Sequence, residues 1–173
     1  MRKILVVIDM QKDFVDGALG TKEAQAIVPL VVDKIKSYNI RDVFATRDTH
    51  QPDYMNTQEG RNLPVEHCIE GTEGWELDKE VASVLEGAKI INKPTFGSTE
   101  LVDVLKDIAA KEDIEIEMIG LCTDICVVSN ALLLKAAMPE VSISVDSKCC
   151  AGVTVQKHEA ALETMRSCQI YVR

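Results

Sequence analysis

The feature that most constrains the fold of this chain is a regular exchange between two hydrophobic periods. KILVVID at 3–9, DVFATRD at 42–48, AKIINK at 88–93, IEIEMI at 114–119, VSISVD at 141–146 and CQIYVR at 168–173 are short, apolar and mostly rich in β-branched residues, and read as strands. Between them apolar residues recur at helical spacing. The sets are Ile27, Leu30, Val31, Ile35 and Tyr38; Leu77, Val81, Val84 and Leu85; Leu101, Val104, Leu105 and Ile108; the run VVSNALLLKAA at 127–137; and a weaker Val155, Leu162 and Met165. Strands separated by helices need crossover connections. The pattern therefore predicts an α/β fold, a three-layer open sheet of about six mostly parallel strands with five helices on its two faces and right-handed crossovers. Thr49 to Gly74 breaks the rhythm: it is polar and aperiodic, and a loop of that length inside a compact domain is usually functional.

No repeat or linker interrupts the 173 residues, and a hydrophobic content of 46% suits one domain spanning 1–173. A net charge of −9 with no cluster of Lys or Arg argues against nucleic acid and leaves a small molecule as the expected partner. The first apolar run, ILVVI, stops at Asp9, too short for a secretory core, and no later run approaches a membrane span. A cytoplasmic chain with no membrane partner is expected. Cys68, Cys122, Cys126, Cys149, Cys150 and Cys168 show no paired CxxC spacing, so reduced thiols are expected rather than a disulfide framework or zinc ribbon.

Sites in open parallel sheets lie beyond the carboxyl ends of the strands. There the sequence places Asp9, Asp48, Lys93, the Cys122 to Cys126 turn and Asp146. Cys126 stands where the turn becomes a helix, a position whose free N–H groups favour thiolate, although a free cysteine is as commonly a small buried hydrophobe. A strand-end Asp can equally cap a turn, and Lys93 before a proline can be a solvated loop residue. Together they could form a nucleophile set: Cys126 attacks a carbonyl carbon, Asp9 carries the proton, and Lys93 supplies positive charge. Backbone N–H groups of the turn would meet the oxyanion, while Thr123 and Asp124 shape it through local bonds to the backbone. In the long loop, Asp48, His50, Glu59 and His67 offer mixed oxygen and imidazole ligands for a divalent metal, zinc, iron or manganese. His158, in the last helix, reads as an ordinary half-exposed residue far from this rim.

VVIDMQKDFVDGALG at 6–20, TRDTHQPD at 46–53, EHCIEGTEG at 66–74, NKPTFGST at 92–99 and GLCTDICV at 120–127 together resemble the isochorismatase-like cysteine hydrolases, and among them the nicotinamidases. The resemblance runs over essentially the whole chain. It implies a catalytic triad of Asp9, Lys93 and Cys126, an oxyanion hole from the N–H groups of Cys122 and Cys126, and metal ligation by Asp48, His50, His67 and, in the Glu version, Glu59. It also implies a cis peptide between Leu121 and Cys122, Phe14 and Leu121 against the substrate, a small amide substrate and a homo-oligomer. Where family nicotinamidases commonly carry an aromatic residue before the second histidine, NLPVEH at 62–67 has Leu63 and Pro64. Phe14, with Trp75 or Phe96 as substitutes, is then the candidate aromatic wall, each being equally a core residue. A hydrolase of another small amide, or a binding protein that keeps the fold, are the alternatives.

Overall fold

The computed structural model describes all of residues 1–173. In chain order it runs β1 (Arg2–Ile8), α1 (Lys12–Val15), α2 (Lys22–Lys36), β2 (Val43–Asp48), α3 (Gln58–Asn62), α4 (Lys79–Val84), β3 (Lys89–Lys93), α5 (Thr99–Ala109), β4 (Ile114–Leu121), α6 (Val128–Ala137), β5 (Ser142–Ala151), α7 (Val155–Ser167) and β6 (Tyr171–Val172). The six strands form one sheet in the order β3-β2-β1-β4-β5-β6, every pair parallel.

β1 shows why the sheet is buried on both sides. Its alternating side chains divide between two clusters: Leu5 and Val7 pack under α1, α2 and α4, while Ile4, Val6 and Ile8 pack under α5, α6 and α7. Each face is an extended apolar core, so both crossover layers are held by burial rather than by intrinsic helix propensity. β4 lies beside β1 so closely that a Cβ on Gly120 would stand 2.1 Å from the Ile8 carbonyl oxygen, and its φ of +117° also requires glycine. The chain winds outward from β1 to β3 on one side and from β4 to β6 on the other. The change of direction opens a crevice at the carboxyl ends of β1 and β4.

Three expectations need correction. The stretch from Thr49 to Gly74 contains two 3₁₀ turns and the helix α3, whose N-cap Thr57 accepts from the Gly60 N–H. With the one-turn α1 this makes seven helices, and neither addition is long enough to show a period. β5 continues to Ala151: its pairing to β4 jumps from Met118 with Val145 to Gly120 with Cys150, so the polar residues between them bulge out and disguise the strand. Asp146 therefore lies within β5, paired with Lys34 at 2.6 Å, and does not join the rim. No helix is long and apolar enough to cross a membrane.

Candidate active site

At the end of β1, Asp9 adopts φ +46°, a conformation that Asp tolerates better than most residues. Its N–H donates to the Thr46 carbonyl and its Oδ1 accepts from Thr46 Oγ1 at 2.6 Å. Lys93, fully buried at the end of β3, brings Nζ to 2.7 Å from Asp9 Oδ2, 3.2 Å from Asp48 Oδ1, 3.4 Å from Cys126 Sγ and 3.1 Å from the Thr95 carbonyl. One ammonium thus touches both carboxylates and the thiol. Asp9 Oδ2 makes no aligned hydrogen bond despite its short ion pair, which leaves a lone pair for the adjacent thiol proton.

Cys126 sits in a wide π-helical turn, Thr123–Val127, leading into α6. The turn follows a cis peptide between Leu121 and Cys122, and the N–H groups of Ile125 and Val127 both donate to the Cys122 carbonyl. The thiol is not acidified by this position. Burial, then the Asp9 charge, push its pKa well above the ordinary thiol value and outweigh Lys93. Burial likewise raises Asp9, against the pull of Lys93. Both groups thus hold a proton more tightly than usual beside the Lys93 ammonium, so the thiol needs a base at the moment of attack.

Next to this set, Asp48, His50, Glu59 and His67 bring one ligand atom each within 4.8 Å of one another. His50 Nε2 is 3.0 Å from Asp48 Oδ2 and 3.5 Å from Glu59 Oε1; His67 Nε2 is 3.7 and 3.8 Å from the same two oxygens. Burial opposes ionisation of Asp48, but the His50 hydrogen bond and Lys93 charge prevail and hold its carboxyl below the usual range. His67 Nδ1 is 2.8 Å from the Val65 carbonyl, which fixes the N–H there and turns the Nε2 lone pair toward the cluster. Two imidazoles and two carboxylates at this spacing fit a divalent zinc, iron or manganese ion.

The long loop is fastened by residues that sequence reasoning passed over. Gln11, fully buried, donates to the Asp48 and Trp75 carbonyls and accepts from the Asp48 N–H, fixing the ligand strand at both sides. Asp13 accepts from the Cys68 N–H, at a residue with φ +47°. Tyr54 lies against both imidazoles, at 4.7 and 5.1 Å between ring centres, and its hydroxyl donates to the Leu63 carbonyl. Asn130 on α6 accepts from Ser98 N–H and donates to the Phe96 and Cys126 carbonyls. Of these, only Asn130 had a signal in the sequence, a lone amide inside an apolar helix.

Both centres open into one cavity of about 230 Å³, lined by Phe14, Leu63, Phe96, Leu121, Ile125 and Val153 among others, with Asp48, Glu59, His67, Cys122 and Cys126 on its walls. Phe14 packs on His67 at 5.5 Å, and Phe96 stands at the exposed mouth. Trp75 lies outside the cavity: its Nε1 donates to Thr49 Oγ1 and Arg47 covers its ring at 3.6 Å. The side chains of Thr123 and Asp124 bond not to their own turn but to the distant start of α7, as Thr123 with His158 and Asp124 with the Val153 N–H. His158 is thus at the site's edge, because β5 runs five residues further than its polar sequence suggests and delivers α7 there.

Comparison with known proteins agrees with this architecture. The chain superimposes on pyrazinamidase of Pyrococcus horikoshii, solved in complex with zinc, with a TM-score of 0.80 and 26% identity over 100% of this chain and 99% of the other. Nicotinamidase/pyrazinamidase from Bacillus subtilis gives 0.82 and 27%, covering 99% of each chain, and the nicotinamidase from Staphylococcus aureus 0.77 and 25%, covering 100% and 99%. No curated protein sequence matches the chain. The isochorismatase domain model matches residues 3–173, and with that span and this sheet the chain belongs to the isochorismatase family of hydrolases.

Proposed function

We propose that the protein hydrolyses nicotinamide to nicotinate and ammonia through a thioester on Cys126. An amidohydrolase acting on a carbon–nitrogen bond is the reaction class of this isochorismatase-family hydrolase. The observation that carries the finer reading is the position of Lys93 Nζ, 3.4 Å from Cys126 Sγ and 3.2 Å from Asp48 Oδ1. It sets a nucleophile beside a candidate metal centre, and both line one small cavity.

Asp9 takes the Cys126 proton as sulfur attacks the amide carbonyl, while Lys93 stays cationic and balances the charge now moving between Asp9 and sulfur. The oxyanion faces the backbone N–H groups of Cys122 and Cys126. Collapse breaks the C–N bond, Asp9 returns its proton to the departing nitrogen, and ammonia leaves a thioester. Water then loses a proton to Asp9 as it attacks the thioester; the C–S bond breaks, Asp9 returns its proton to sulfur, and nicotinic acid departs and ionises to nicotinate. Phe14 and Leu121 hold the ring, with Phe96 at the mouth in place of Trp75. A divalent ion held by Asp48, His50, Glu59 and His67 would supply an electrophilic anchor for the pyridine nitrogen.

Nicotinamide and benzamide differ only in that ring nitrogen. With metal in excess, kcat/KM for benzamide should fall at least ~100-fold below that for nicotinamide, the loss expected when a site built for a polar group is left unpaired. Equal values would overturn the anchored-ring reading. Lys157 favours a second reading, a small amide with an acidic substituent, because this exposed lysine lines the same cavity. Faster turnover of a carboxylated benzamide than of nicotinamide would select it.

A further inference from the structure

We propose that His158 is a positioning residue for the nucleophile turn, acting through Thr123. Two adjoining walls of the cavity come from different parts of the chain: Cys122, Ile125 and Cys126 from the turn after β4, and Gly152, Val153 and Lys157 from the end of β5 and start of α7. They are joined by two polar clasps. Asp124 Oδ1 accepts from the Val153 N–H at 2.9 Å, and Thr123 Oγ1 lies 2.7 Å from His158 Nδ1.

Thr123 is fully buried and opens the π-helical turn that carries Cys126 three residues later. Its hydroxyl has His158 as its only side-chain partner, so without the imidazole a polar atom is stranded inside the turn that sets the thiol. The two strands of chain meet too closely to be an incidental contact. A Cβ on Gly152 would lie 2.8 Å from the His158 backbone nitrogen and 2.9 Å from Asp124 Oδ1, so only glycine lets α7 approach the turn. α7 itself is fixed at this end, where Thr154 caps it by accepting from the Lys157 N–H. His158 thus joins a capped helix to the turn, and holds Cys126 Sγ in register with Asp9 and Lys93 while touching none of them.

The inference rests on the proposed function only in taking Cys126 as the nucleophile. Its first readout is therefore independent of substrate: the rate at which iodoacetamide alkylates Cys126 at pH 8, followed on the Cys126 peptide by mass spectrometry so that exposed Cys168 does not contribute. His158→Leu removes the bond and keeps bulk, Thr123→Val removes it from the other side, and His158→Asn restores a polar atom near the Nδ1 position. His158→Leu and Thr123→Val should each change the alkylation rate at least fivefold and lower kcat on nicotinamide at least tenfold, with KM within threefold. The double variant should be no worse than either single one, and His158→Asn should recover most of both readouts. Alkylation and kcat unchanged in His158→Leu, or His158→Asn as impaired as His158→Leu, would overturn the proposal. Should His158→Leu fail to fold, Thr123→Val reads the same bond with the imidazole in place. An altered alkylation rate in a protein inactive on nicotinamide would keep this inference and reject that substrate.

Discussion

Lys93 is buried without a water shell, and three acidic groups take the place of that shell. Burial alone would favour its neutral form, yet Asp9, Cys126 and Asp48 reverse this and raise its pKa, so the site keeps a permanent cation. In the proposed reaction one proton passes between Asp9 and Cys126 against that cation. Acid adds a second proton and blocks Asp9 as base; alkali removes the shared one and leaves two negative groups together. Both pKa values are raised by burial, so both limbs of the activity profile move upward. With metal in excess, kcat/KM should be bell-shaped, its acid midpoint above the ordinary carboxyl value of 3.8 and its alkaline midpoint above the ordinary thiol value of 9.0. A flat profile would contradict the shared proton. Gln11 acts differently, on the ligand strand. Gln11→Leu should weaken zinc binding ~10–100-fold, measured by competition with a chelator, while Cys126 still reacts with iodoacetamide.

The turn, α5 and α6 stand or fall together because Asn130 serves them all. Its amide joins the N-terminal end of α5 at Ser98, the cavity mouth at Phe96 and the carbonyl of Cys126. Asn130→Ala strands three backbone groups and should cost about 2–4 kcal/mol in urea denaturation, with a loss of kcat beyond any change in KM. A loss below ~0.5 kcal/mol would show that water replaces the amide. The strands carrying these elements were legible in the sequence because burial writes a continuous apolar run in β1 and short β-branched runs or alternations in the others. The strand ends of Asp9, Asp48, Lys93 and the Cys122 to Cys126 turn followed from them. What escaped were features without a period: α3, the bulge that hides the second half of β5, and the clasp of His158 on Thr123. Gln11 and Tyr54 escaped for the same reason, since their roles come from partners distant in the chain.

At the scale of the molecule, the two ends of the sheet do different work. The carboxyl end gathers the reactive groups around a shared cation. Away from it, a charged hollow contains Arg2, Lys34, Arg173, Asp42 and Glu117, and its charges satisfy one another. Buried Glu117 accepts from Tyr38 at 2.8 Å and pairs with Lys34 at 3.3 Å and Arg173 at 3.5 Å. Glu117→Gln should lower stability by about 1–3 kcal/mol at pH 7 while leaving kcat within twofold. Burial of Lys34 is outweighed by the Asp146 hydrogen bond and the Glu117 charge, so its pKa is raised from 10.5. A raised amine stabilises the fold fully below that value and ceases to do so as pH climbs through the folded value. On the alkaline side, the wild-type margin over Glu117→Gln should accordingly persist until Lys34 loses its proton in strong alkali. A margin already lost at pH 9 would reject the pairing.

The most direct measurement for the molecule as a whole is ammonia release from nicotinamide by the zinc-loaded protein and by its Cys126→Ala variant. The geometry predicts steady release by the wild type and a loss of at least ~1,000-fold in the variant, as expected when the nucleophile of a coupled set is removed. Release by Cys126→Ala within tenfold of wild type would contradict a thioester on Cys126, and no release by the metal-loaded wild type would contradict nicotinamide as its substrate.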